Sequence, residues 1–194
     1  MHSERFDPIR VSSPALLIPK IILQKNWKLK SDWNEELPED IQKEFSKWAT
    51  EIHFLNDCRI PRRIFIDSTS SLHVFCDACK LAYGACIFLR TEEHEEIYLS
   101  LVLAKSRLTP LKEIPLPQSE LMAALLGVRL YQLAIKSLNC INTKTYFWLD
   151  TSVVLAWLKK RNNWSVFVEN RFKEIQGYSK RRMLETYTRD LKHC

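Results

Sequence analysis

The sequence predicts an α/β domain, a mixed sheet flanked by helices, with a small helical segment in front of it. Three observations predict it. From about residue 63, runs rich in β-branched and aromatic residues follow one another: "LHVFCDA", "YGACIFLR" and "IYLSLVLAK", the composition of strands. They give way to "SELMAALLGVRLYQLAIKSL", whose apolar residues recur at helical spacing. One more strand-like run and two helix-like runs follow. The resulting order, β-β-β-α-β-α-α, places helices on the faces of a mixed sheet.

Taken in order, residues 1–60 read as helical. Leu37, Ile41, Phe45, Trp48, Ile52 and Leu55 keep a helical period, with Pro38 suited to the first turn. The dipeptide Ile60-Pro61 closes this region. The three runs after residue 63 form a meander, with "DSTSS" and "TEEHEE" as separators. "RLTPLKEIPLPQ" holds three prolines and reads as a loop. In the long helix Ser119 is the expected N-cap. Leu121, Leu125, Val128, Gln132 and Ile135 line one face, and Ala123, Ala124 and Gly127 allow close packing. "KTYFWLD" is the next strand, "TSVVLAWLKK" a helix directly after it, and "WSVFVENRFKEIQGY" a last amphipathic helix.

The 194 residues suit one domain with an appendage, and 46% hydrophobic residues provide a core. No apolar run suggests a membrane span, and Glu4 and Asp7 argue against a signal peptide, so an intracellular protein, cytoplasmic or nuclear, is expected. Six scattered cysteines fit a reduced compartment, and Cys76-x-x-Cys79 lacks the second pair a metal site needs. The net charge of +6 is uneven. Residues 151–194 carry ten Lys and Arg against four acids, whereas residues 1–150 balance at 19 of each. That stretch reads either as a solvated helix face or as a polyanion contact.

Asp77 stands near the end of an apolar strand, where an unpaired carboxylate is costly. Glu120 opens the long helix, and Asp150 ends "YFWLD". Strand ends and helix starts gather at the functional edge of such sheets. Acids converging there raise one another's pKa values unless a cation such as Mg²⁺ binds them. Each also has a structural reading: Glu120 gains from the helix dipole, and Asp150 suits a helix cap.

These residues lie in blocks that resemble a known family. "FCDACKLAYGACIFL", "LVLAKSRLTPLKEIPLPQSELMAALLG", "WLDTSVVLAWLKK" and "FVENRFKEI" resemble the ribonuclease H region of BEL/Pao-type retrotransposon polyproteins. "FDPIRVSSPALLIPKIILQKNW", "SDWNEELPEDIQKEFSKW" and "IPRRIF" resemble the segment that joins a reverse transcriptase to it. The resemblance covers about residues 6–178. It implies a connection segment over residues 1–62 and a ribonuclease H-like domain, C-terminally incomplete, over 63–194. It further implies hydrolysis of the RNA strand of an RNA–DNA hybrid with Mg²⁺ or Mn²⁺. The metal ligands and catalytic acids would be Asp77, bridging two metals, with Glu120 and Asp150. In that reading the basic C-terminal stretch, with Lys159, Lys160 and Arg161, is a phosphate contact, Lys105, Ser106 and Arg107 are either substrate contacts or structural, and a reverse transcriptase domain is an implied partner.

The chain departs from the family's pattern in two places. The family's fourth acid, in an Asn-Pro-Ala-Asp block, has no counterpart, since Asp190 sits in no matching motif. Arg10 stands where the family usually has glycine. A fragment, a truncated element copy or a gene derived from one is therefore expected. The second reading is a catalytically incomplete nucleic-acid-binding or scaffold remnant. A third, an aspartic peptidase, follows from the family's other label, but "DST" at Asp67 and "DTS" at Asp150 lack the required glycine.

Overall fold

The computed structural model describes residues 7, 10–30, 32, 34–59, 64–139, 143–149, 154, 157, 164–179 and 185–187. Two helices open the chain, α1 (Leu17–Leu29) and α2 (Glu39–Glu51), the second running into a 3-10 turn at Ile52–Asn56. Pro38 is the residue before α2 rather than its first turn, with ψ of 146°. Trp48 secures α2 by donating from Nε1 to the Ala15 carbonyl at 2.8 Å.

The expected meander follows as β1 (Ser71–Ala78), β2 (Ala82–Glu93) and β3 (Glu96–Leu108), paired antiparallel. The strands outrun the sequence estimate. "TEEHEE" is mostly strand, and only His94 and Glu95 turn the chain, at φ 50° and 67°. A two-residue turn with both residues left-handed matches the twist of the strands it joins. Before β1, Ile64–Ile66 are irregular.

Next comes α3 (Leu116–Leu138), then β4 (Lys144–Leu149), α4 (Val166–Ser179) and β5 (Glu185–Tyr187). The sheet order is β3-β2-β1-β4-β5, with β4 parallel to β1 and β5 parallel to β4. Strand β5 was not legible as a strand. Of the helix expected over 151–160, only Val154 and Trp157 are described, both helical. The α3 N-cap is Pro115, not Ser119. The Pro-rich loop thus ends one turn early, with Pro117 in the first turn, where a missing N–H costs nothing. Ser119 is instead buried.

Burial alternates along β1. Leu72, Val74 and Cys76 are buried against α3, while His73, Phe75 and Asp77 face the other side. The predicted α3 face holds: Leu121, Leu125 and Val128 are buried, and Gln132 and Ile135 are half-buried. Helix α3 is long and apolar enough to cross a membrane, yet eleven of its residues are buried within the fold. Gly127 is where α3 comes nearest the sheet. A Cβ there would lie 2.3 Å from Cys76 Sγ and 3.1 Å from Val74 Cγ1. Cys76 is buried and Cys86 partly so, while Cys58 and Cys79 are exposed.

Candidate functional site

Asp77 occupies the penultimate position of β1, on the face away from α3. Its Oδ1 accepts the Ala78 N–H at 2.7 Å, which fixes the carboxylate's orientation. Its cross-strand neighbour is Gly84, a glycine within β2 rather than in a turn. Opposed residues share a face, so the missing side chain leaves the flank of Asp77 open. A cleft of about 840 Å³ lies over this face, with Phe75, Asp77, Gly84 and Trp148 on the sheet side and Ser13 and Pro14 opposite.

Helix α3 brings Glu120 toward the same end of the sheet. Gly127 lies over Cys76 and Val74, and one turn later Tyr131 meets Phe147, the register partner of Val74, at 5.5 Å. The helix therefore runs opposite to β1. Its first turns point to the strand end that carries Asp77. Glu120 lies seven residues, or about 10 Å along the axis, before Gly127. It is half-buried, beside the buried Ser119 and Leu121. Asp150 directly follows β4, the parallel neighbour of β1, but lies outside the described residues, as do Lys159, Lys160, Arg161 and Asp190.

Neither Asp77 nor Glu120 forms an ion pair among the described residues, and no group of three or more acids, histidines or cysteines gathers there. Oxygen donors left without a cationic partner are the donor type that magnesium and manganese take. The donor type suits such a cation, while Asp77 lies on the sheet face away from α3 and Glu120 on α3 itself.

The other candidates fall into place around them. Ser106 is occupied within the protein: its hydroxyl lies 2.9 Å from Ser13 Oγ, and its N–H donates to the same oxygen at 3.0 Å. Lys105 is half-buried and Arg107 exposed. Partial desolvation, then the neighbouring Arg10, Arg107 and Arg129, hold the Lys105 amine below the ordinary lysine value. Asp67, the acid of "DST", closes a turn by accepting from the Thr69 N–H and the Thr69 and Ser70 hydroxyls. The two hydroxyls lead in holding its pKa low.

Trp148 is not core. It is half-buried on the open sheet face and donates from Nε1 to His73 Nδ1 at 3.1 Å. His73 stacks on Tyr146 and Trp148, and Trp148 on Phe75, at 5.0, 6.0 and 5.8 Å. Because an indole only donates, His73 is neutral with its proton on Nε2, which meets Ser71 Oγ at 3.1 Å. Trp157 and Trp164 pack on the core.

A family profile described as the Pao retrotransposon-like RNaseH-like domain matches residues 1–151. The chain belongs to this family. Its five strands and the helices packed on them form a ribonuclease H-like fold. Among solved structures, the RNase H1 of Halobacterium salinarum is 10% identical, with 61% of this chain and 82% of that one covered at a TM-score of 0.37. The N-terminal RNase H domain of a Mycobacterium tuberculosis protein, solved fused to maltose-binding protein, is also 10% identical. It covers 62% of this chain and 81% of that one, at 0.38. A foamy virus protease-reverse transcriptase in complex with double-stranded DNA is 14% identical, with 89% of this chain and 34% of that one covered at 0.49. No curated protein matches the chain.

Proposed function

We propose that this retrotransposon-type domain hydrolyses the RNA strand of RNA–DNA hybrids with Mg²⁺ or Mn²⁺, acting inside the cell, in cytoplasm or nucleus, beside a reverse transcriptase domain. The observation that carries the reading is the placement of Asp77 and Glu120 toward one sheet end, neither of them ion-paired among the described residues. A bound divalent cation supplies an activated water and charge to stabilise the leaving oxygen of a phosphodiester. Asp77 would hold it with its carboxylate, which the Ala78 N–H orients. Glu120 offers its carboxylate from the first turns of α3, and Asp150, by its place after β4, offers the third. Gly84 keeps the approach to Asp77 free of side chain. Residues 1–62 serve as the connection segment and 63–194 as the ribonuclease H-like domain, held together at Ser13 and Ser106 and by a 2.7 Å buried bond from Gln24 to the Thr109 carbonyl.

The second reading is a nucleic-acid-binding remnant without turnover. Cleavage of a labelled hybrid in Mg²⁺ and Mn²⁺, beside duplex DNA and single-stranded RNA, separates the two. The nuclease reading predicts hybrid-specific cutting that Asp77→Asn lowers at least about a hundredfold, the loss of several kcal/mol of transition-state stabilisation. Salt-sensitive hybrid binding without cleavage establishes the remnant instead.

A further inference from the structure

The N-terminal turn is built with unusual care around one cation. Asp7 accepts the Val11 N–H at 3.0 Å, the Ser12 N–H at 2.8 Å and the Ser12 hydroxyl. The turn holds Arg10 at φ 60°, a left-handed conformation that strains any side chain larger than glycine. Ser13, three residues on, is bonded to Ser106, the residue between Lys105 and Arg107 on edge strand β3. That bond seats the turn that carries Arg10 on the stretch of β3 that carries Lys105 and Arg107. Of the cations gathered here, Arg129 is committed to Glu174 through two bonds of 2.7 and 2.9 Å. Arg10, Lys105 and Arg107 have no acidic partner among the described residues. Bonds to Asp7 hold the turn, but no acid among the described residues offsets the like-charge repulsion, which marks a site for an outside polyanion. Lys105 also lines the cleft that holds Asp77.

We propose that Arg10, Lys105 and Arg107 form one site for the phosphate backbone of a nucleic-acid duplex, assembled by docking the N-terminal turn on the edge of the sheet. This rests on the reading of the chain as a hybrid-binding domain and adds where the phosphates lie. Ser106 serves the site by anchoring the turn, not by touching the ligand.

The test is hybrid binding by the full chain over a salt series with EDTA present, so that turnover plays no part, together with thermal unfolding. Arg10→Gly, Lys105→Gln and Arg107→Gln are each expected to lower the slope of log K against log salt by about 1, with Lys173→Gln on α4 as an unaffected control. Arg10→Gly and Lys105→Gln are also expected to hold or raise Tm, because each relieves strain or repulsion. Unchanged slopes beside intact wild-type binding would overturn the proposal while leaving the nuclease reading standing. So would a loss of affinity that comes with a fall in Tm, which signals mere unfolding, or binding of heparin but not of the hybrid. Reduced slopes in a protein that never cuts the hybrid would uphold the site and refute only the catalytic reading.

Discussion

Gly127→Ala is the substitution that most sharply probes how the acids are positioned. The new Cβ would stand 2.3 Å from Cys76 Sγ and 3.1 Å from Val74 Cγ1, with Ala85 Cβ at an ordinary 3.6 Å. Cys76 is buried and immediately precedes Asp77, so its Sγ must turn to another rotamer or β1 and α3 must move apart. Overpacking of this kind costs about 1–3 kcal/mol. Replacing a helical glycine with alanine returns roughly 0.5–1 kcal/mol. A net loss of about 1–2 kcal/mol is expected, or a fall in Tm of roughly 2–8 °C for a chain of this size. The sign turns on Cys76. In a Cys76→Ala background the closest contact is gone, and Gly127→Ala should become neutral or stabilising. A double-mutant cycle followed by thermal and urea unfolding measures the coupling. If Gly127→Ala is as stable as wild type while Cys76 is present, the close approach of α3 to β1 is wrong, and with it the placement of Glu120 relative to Asp77.

Replacing His94-Glu95 by Asn-Gly should raise stability by about 1–2 kcal/mol, read as a higher Tm, because both residues now hold a left-handed backbone without the usual residues for it. Gln24→Ala leaves the Thr109 carbonyl without its buried donor and should cost about 1–3 kcal/mol, with amide exchange rising in α1 before β1. His73 is held below its ordinary value of 6.5, by desolvation first and then by Arg90. The folded state therefore resists protonation that the unfolded chain accepts. The stability this gives is complete above pH 6.5 and is lost as pH falls from there through the folded-state value. Protonation at Nδ1 also removes the Trp148 bond, so tryptophan emission should shift in step with the loss, and His73→Gln should flatten both curves.

Much of this was legible in the sequence because local pattern and tertiary role agree. The period of α3, the alternation of β1 and the close-packing role of Gly127 all show in residue type and spacing. Other features were hidden for identifiable reasons. Strand β5 spans three residues, too short for an alternating pattern to register. The turn at His94 and Glu95 uses residues that ordinarily avoid left-handed backbone, so an acidic run looked like a loop. Ser119 has the chemistry of a cap, but the preceding proline-rich turn already starts the helix. Trp148 lies in an apolar run, yet β4 presents it to the open face. At the candidate site, Asp77 was readable from its place at a strand end, whereas Glu120 lies past the first turn of α3 rather than at its start. The docking of the N-terminal turn on β3 was not readable, because a bond between Ser13 and Ser106, 93 positions apart, leaves no local signal. The one visible hint was an arginine where the family's pattern has glycine, in a position the structure shows to be left-handed.

The central claim is that Asp77 and Glu120 serve one cation, and Mn²⁺ binding measured by electron paramagnetic resonance on the folded full chain tests it most directly. The account predicts saturable binding to the wild type that both Asp77→Asn and Glu120→Gln weaken, with Mg²⁺ competing for the same site. Binding that neither substitution alters, or none in the wild type with hybrid present, would contradict it.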